Sequence, residues 1–350
     1  MTARLETALT RRLGLEAPII QAPIGGLASP ELASAVANAG GLGMLAQTWS
    51  EPDELRAAIR ETRDLTDRPF GINLILEWPQ DERVAICLEE GVRIVSFFWG
   101  DPGPHLDAIH GAGAIALMTI GSAAEARRVV DQGVDIVVAQ GWEAGGHVWG
   151  EVATLPLVPA VVDAVAPVPV VAAGGIADGR GLAAVLSLGA AGAWLGTRFV
   201  PAAETRAHPR YRELMLAADE TTPVHSSLFD LSWPNAPHRT LRNSTFRAWE
   251  LAGRPPSGTR PGEGEVIATA GDGSPINRYA SSSPRADVRG DIEAMSLWAG
   301  QSVGLVREIR PAADIVRQLV EEAVAVLRAL DDSGPAAASP RTPVRVATPG

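Results

Sequence analysis

The sequence predicts a (β/α)8 barrel over residues 1–219, and three observations carry that expectation. Short apolar runs recur eight times with helix-patterned segments between them, the order of a repeated strand-then-helix unit. The runs are continuous and not alternating, as strands buried on both faces of a parallel sheet require. No G-x-G-x-x-G follows the first run, which disfavours a doubly wound sheet.

In chain order the runs are PIIQAP (18–23), GLGMLA (41–46), FGINLIL (70–76), RIVSFFW (93–99), AIALMTI (114–120), DIVVAQ (135–140), VPVVAAG (168–174) and AWLGTRF (193–199). Helix-start signals sit between them. Ser29 offers a capping hydroxyl before Pro30, whose φ suits the first helical position, and Ser122-Ala-Ala-Glu125 has the spacing of a capping box. Residues 220–330 read differently: 221–240 and 254–284 are rich in Pro, Gly and Ser and predict irregular loop, while 291–306 and 311–330 carry helical patterns. This unit is expected to pack on the barrel as an elaboration capping its mouth. Residues 331–350 cannot bury a core and predict a disordered tail.

Composition narrows the function. With 46% hydrophobic and 20% charged residues the chain reads as soluble and globular, and no apolar run is long enough to span a bilayer. The N-terminus lacks the apolar core of a secretory signal, and the single cysteine, Cys87, excludes an internal disulfide and a cysteine zinc cluster; a cytoplasmic protein is expected. All basic residues are arginine, and a net charge of −11 with no basic stripe argues against nucleic acid. A small molecule is the expected partner; a homo-oligomer is compatible with the sequence, which does not fix its state.

Barrel active sites lie at the C-terminal ends of the strands, so residues there are candidates. Gly174-Gly175 and Gly196-Thr197 end the seventh and eighth runs, the usual phosphate position of this fold, where backbone N–H groups and a hydroxyl could hold a mononucleotide-like cofactor. The alternative is that these glycines only make tight turns. Asn73 and Gln140 carry amides that match the mixed donors and acceptors of a flavin pyrimidine edge, or that tie down neighbouring loops. His147, in the loop QGWEAGGHVWG (140–150) after the sixth run, can exchange a proton near neutral pH, with Glu143 orienting it or capping the loop. His105, His110, His208, His225 and His238 show no metal-ligand spacing.

QAPIGG, GINL, QGWEAGGH, AAGGIADG and LGTRF, in this order and on these strands, resemble the nitronate monooxygenase family, also called 2-nitropropane dioxygenase-like flavoproteins, over roughly residues 15–330 and into AGQSVGLV. The resemblance implies non-covalent FMN. Asn73, Gln140, Gly145, Gly146, Gly174, Gly175, Trp194, Leu195, Gly196 and Thr197 would bind it, with the backbone of Ala22, Pro23 and Ile24 under the flavin and His147 as catalytic base. The implied reaction is oxidation of alkyl nitronates, such as propionate 3-nitronate, by O2 to a carbonyl compound and nitrite. The loop also resembles that of FabK-type FMN-dependent enoyl-ACP reductase, which implies NADH use and His147 as proton donor; an NADH:quinone reductase is a third relative. Two departures concern the pocket: Val148 and Trp149 stand where one residue is expected before Gly150, and Trp194 stands in place of Gln or Met. A barrel that only binds its ligand is disfavoured by His147 and the two amides. A nucleotide-biosynthetic dehydrogenase would need a catalytic loop cysteine, whereas Cys87 lies in a helical segment.

Overall fold

The computed structural model describes residues 5–332. Each of the eight apolar runs forms a strand: Ile19–Gln21, Gly43–Ala46, Phe70–Ile75, Ile94–Phe98, Ile115–Ile120, Ile136–Gln140, Val170–Ala173 and Gly192–Leu195. All pair in parallel, in the order first, eighth, seventh, sixth and so down to second. The first and second strands close the circle through Gln21 N–H to Leu42 O and Leu42 N–H to Ile19 O, both 2.9 Å. Gln21, with no exposed surface, reinforces the seam: Oε1 accepts from Met44 N–H at 3.2 Å, and Nε2 donates to the carbonyls of Met44 and Ala22.

Both faces of the sheet are covered, which is why the runs are unbroken. Ile20, Leu42, Met44, Ile94, Leu117, Val138 and Val171 point inward as one cluster. Leu9 and Leu13, from an unforeseen helix (Ala8–Leu13), join that cluster and plug one end of the barrel. Alternate residues face the surrounding helices. The expected caps form in part: Ser29 Oγ accepts from Leu32 N–H at 3.2 Å, and Ser122 Oγ from Glu125 N–H at 3.2 Å. Glu125 does not complete a capping box; its carboxylate takes Gly121 N–H at 2.9 Å and Trp149 Nε1–H at 2.8 Å.

One expectation changes. The segment 291–306 is not a helix but two 3-10 turns, Ile292–Ala294 and Gln301–Leu305, joined by extended chain. Strand His238–Leu241 needs a partner on that side and takes one: Leu241 N–H donates to Leu297 O at 2.8 Å, and Thr240 bridges Trp298. Helix Ala312–Asp332 packs against helices Gly179–Ser187 and Pro30–Asn38, where the eighth helix of the ring belongs. The residues inserted between the eighth strand and this helix form the short strands and helices from Pro209–Ala217 to Gln301–Leu305. The expected tail lies outside the described residues, apart from the helix end at 331–332.

Candidate active site

The loop after the sixth strand is built by close contacts that only glycine allows. A Cβ on Gly145 would stand 2.3 Å from the Gly300 nitrogen and 2.6 Å from the Ala299 carbonyl carbon. Gly146 is the reverse case, at φ 75° with nothing within 4 Å of where a Cβ would be. One glycine admits the 299–301 segment; the next leaves space open beside His147.

Arg239, from the inserted segment, clamps this loop. Its side chain is 1% exposed, donates from Nε to Ala144 O at 3.2 Å and from Nη2 to Trp142 O at 2.8 Å, and lies 4.1 Å over the Trp142 ring. Burial lowers its pKa and Glu143 pulls it back. The strand containing it pairs antiparallel with Gly146–His147, setting His238 opposite His147. Glu143 neither orients His147 nor caps its own loop: both carboxylate oxygens accept from Thr154 N–H, at 3.2 and 3.0 Å, at the start of helix Thr154–Val165.

Gln140 holds the same loop by its amide, donating to His147 O and accepting from Trp149 N–H, each at 3.0 Å. One donor and one lone pair of that amide remain for a ligand. Asn73, 5% exposed and beside Ala46 and Ser96 in register, makes no side-chain hydrogen bond among the described residues.

At the ends of the seventh and eighth strands the glycine loop meets the 299–301 segment. A Cβ on Gly174 would lie 3.0 Å from Gly141 O, and one on Gly175 3.1 Å from Glu143 Cγ. Thr197 Oγ1 accepts from Gly300 N–H at 3.0 Å, and Gln301 N–H donates to Glu143 O at 3.0 Å. Gly196 faces Ala22, whose N–H donates to Leu195 O at 2.9 Å. Leu195 and Ile24 point into the outer core, so only their backbones face the strand ends, and Pro23 is half-buried. Trp194 turns inward, 8% exposed, over the inner cluster of the barrel.

His147 sits inside an aromatic wall that sequence patterns did not reveal. Its ring centroid lies 4.1 Å from Trp233, 5.3 Å from Trp298, 5.7 Å from His238 and 6.3 Å from Trp99. Trp99 also packs on Trp149 at 4.5 Å and Trp233 at 4.9 Å, and holds φ 61°, an unusual backbone for a large side chain. Trp233, His238 and Trp298 come from the inserted segment, far from His147 in sequence; a periodicity search has no signal for such pairs.

The wall sets the charge state of the histidine. Burial pushes the His147 pKa down to about 3; His238 adds to this, and the carbonyls of Ala236 and Pro237 oppose it. Its Nδ1 is shut from water without a hydrogen-bond partner. His238 is fixed as one neutral tautomer, because Nδ1–H donates to Ala236 O at 2.9 Å while Nε2 accepts from Phe229 N–H at 3.2 Å. Burial first, and His225 second, push its pKa down to about 4 against the pull of the Ala236 carbonyl.

A parallel barrel whose glycine-rich strand ends gather beside a half-buried, neutral histidine is the architecture of an enzyme. A family model described as nitronate monooxygenase matches residues 6–82 and 77–322. The chain is 41% identical over 254 residues to the (3aS,4S,5R,7aS)-5-hydroxy-7a-methyl-1-oxo-octahydro-1H-indene-4-carboxyl-CoA dehydrogenase of Mycobacterium tuberculosis, covering 72% of this chain and 70% of that protein. It is 34% identical over 364 residues to the nitronate monooxygenase of Pseudomonas aeruginosa, covering 89% and 98%. Among solved structures, FabK from Thermotoga maritima matches with a TM-score of 0.81 at 36% identity, covering 94% of this chain and 99% of that one. The chain belongs to the nitronate monooxygenase family, a family of flavin-dependent oxidoreductases.

Proposed function

We propose that the protein binds FMN and oxidises alkyl nitronates, propionate 3-nitronate among them, with O2 to a carbonyl compound and nitrite. The observation that carries this reading is the buried, unpartnered Nδ1 of His147 beside the open space at Gly146. A buried polar atom without a partner is what a site shaped for a ligand leaves behind. The residues fit the cofactor: the free amide of Asn73 and the remaining groups of Gln140 suit a flavin ring edge, and the backbones at Gly174-Gly175 and Gly196-Thr197 suit its phosphate.

Bound FMN would supply the electron acceptor for the nitronate. The chain's own contribution is to exclude water and hold a proton acceptor. Trp99, Trp233 and Trp298 keep the His147 imidazole unprotonated at neutral pH, ready to take a proton at a ring nitrogen. A base held this weak removes a carbon-bound proton poorly, so pre-formed nitronates are the preferred substrates and neutral nitroalkanes the slower ones. We place the reaction in the cytoplasm; no helix among the described residues is long and apolar enough to cross a membrane.

A second reading, an NADH-using enoyl-ACP or quinone reductase, is favoured by the likeness to FabK. The relative named as a carboxyl-CoA dehydrogenase supports the same direction. Anaerobic visible spectra separate the readings. A yellow protein bleached by propionate 3-nitronate and not by NADH is expected; bleaching by NADH alone would favour the second reading, and a colourless protein that FMN does not restore would overturn both.

A further inference from the structure

Arg198, two residues beyond Gly196, is 6% exposed and makes no hydrogen bond or ion pair among the described residues; its Nη1 is shut from water with no partner. A buried guanidinium has five donors and cannot shed its charge, so it persists beside a site where an acceptor arrives. Burial lowers its pKa, Glu308 and Glu322 oppose this, and Arg310 adds to it. The side chain lines a cleft of about 500 Å³ on the outer side of the seventh and eighth strand ends, together with Asp178, Arg180, Arg307, Glu308 and Glu322.

The carboxylates of the cleft are already engaged. Asp178 accepts from the Arg180 guanidinium and from the N–H groups of Arg180 and Gly181. Glu322 accepts from Gly179 N–H at 2.9 Å and Gln318 Nε2–H at 2.7 Å, and Glu308 pairs with Arg310 at 2.6 Å. Arg198 and the exposed Arg307 are left as cations without an ion pair among the described residues. None of the glycines at the proposed flavin phosphate position lines this cleft.

We infer that the cleft is a second anion site, taking a phosphate or pyrophosphate group on Arg198 and Arg307, separate from the flavin position. Planar guanidinium groups pair with such oxyanions in two-point contact, and the cleft has room for more than one phosphate. The inference goes beyond either reading of the reaction and does not depend on them.

Calorimetric titration of the flavin-bound protein at constant ionic strength tests it, with inorganic pyrophosphate, inorganic phosphate and ADP as probes. Saturable binding is expected in the unmodified chain, weakened about tenfold or more in Arg198→Gln, at unchanged flavin content. Tighter binding of ADP than of pyrophosphate would assign the phosphate to a nucleotide-bearing carrier, and equal binding would assign it to the free anion; both uphold the site. Absence of saturable binding, or equal affinity in Arg198→Gln, would overturn it. Release of flavin by the anion would also overturn it, because the anion would then occupy the cofactor's own phosphate position. Should Arg198→Gln fail to fold, Arg307→Gln decides, weakened binding upholding the site and undiminished binding refuting it. A protein that binds pyrophosphate yet never holds flavin would sink the proposed function and leave this site standing.

Discussion

His147 and His238 face each other across a strand pair, and burial holds both neutral, but their nitrogens are used differently. His238 has both nitrogens committed to the backbone, so its role is to fill space and hold the 229–238 loop. His147 has a nitrogen with nothing to bond, so it is the one free to react. His147→Ala is expected to keep bound flavin and to lose turnover of neutral nitroalkanes by about a hundredfold, within the range of general-base contributions. Turnover of pre-formed nitronates, which need no base, should change far less; parallel steady-state assays on both substrates check this, and equal losses would remove the base role. The pH profile should also lack an acid limb near 6.5 from this residue, because its pKa lies near 3.

At the scale of elements, the glycine loop divides into a packing half and an open half. Gly145→Ala forces a methyl into the Ala299–Gly300 backbone and should lower the melting temperature and the flavin content together. Gly146→Ala meets no atom but carries backbone strain of about 1 kcal/mol, so the fold should survive while nitronate KM rises. Melting curves beside kinetics separate the two; like behaviour of both variants would count against the division. Arg239→Ala strands the carbonyls of Trp142 and Ala144 and should cost about 3 kcal/mol, read from urea unfolding, with loop-dependent loss of activity. Much of this scale was legible in advance. The strands were, because burial on both faces leaves a mark on consecutive residues, and so were the positions of Asn73, Gln140 and His147 at their ends. Arg239, Trp233 and Trp298 were not, since their meaning lies in pairing 238–239 with 146–147 across a Pro- and Gly-rich stretch. The segment 291–306 misled because its apolar spacing suits a helix, while the edge of strand His238–Leu241 recruited it as extended chain.

For the whole molecule, one buried and one half-buried neutral histidine make stability depend on pH. The folded pKa values of about 4 for His238 and about 3 for His147 lie below the ordinary 6.5, so on acidification the unfolded chain takes up protons first. Stability is therefore complete above 6.5 and declines from there down to the folded values. For fully buried His238 the loss between pH 7 and pH 5 should be about 2 kcal/mol. Urea unfolding at those two pH values checks it: His238→Asn should flatten the slope, and an unchanged slope would mean that other groups set it.

The eighth strand ends at Leu195 and its helix begins at Ala312, with Arg239 and the Trp233, His238 and Trp298 part of the aromatic wall between them. On the ribosome, this arrangement delays closure of the helix ring until residues 312–332 have been made. A nascent chain that has emerged to residue 220 has all eight strands but lacks the helix that covers Gly179–Ser187, the clamp on the glycine loop and two of the three tryptophans nearest His147. The surroundings of His147 are therefore complete only once the segment between the eighth strand and its helix has been made, whatever order the strands fold in.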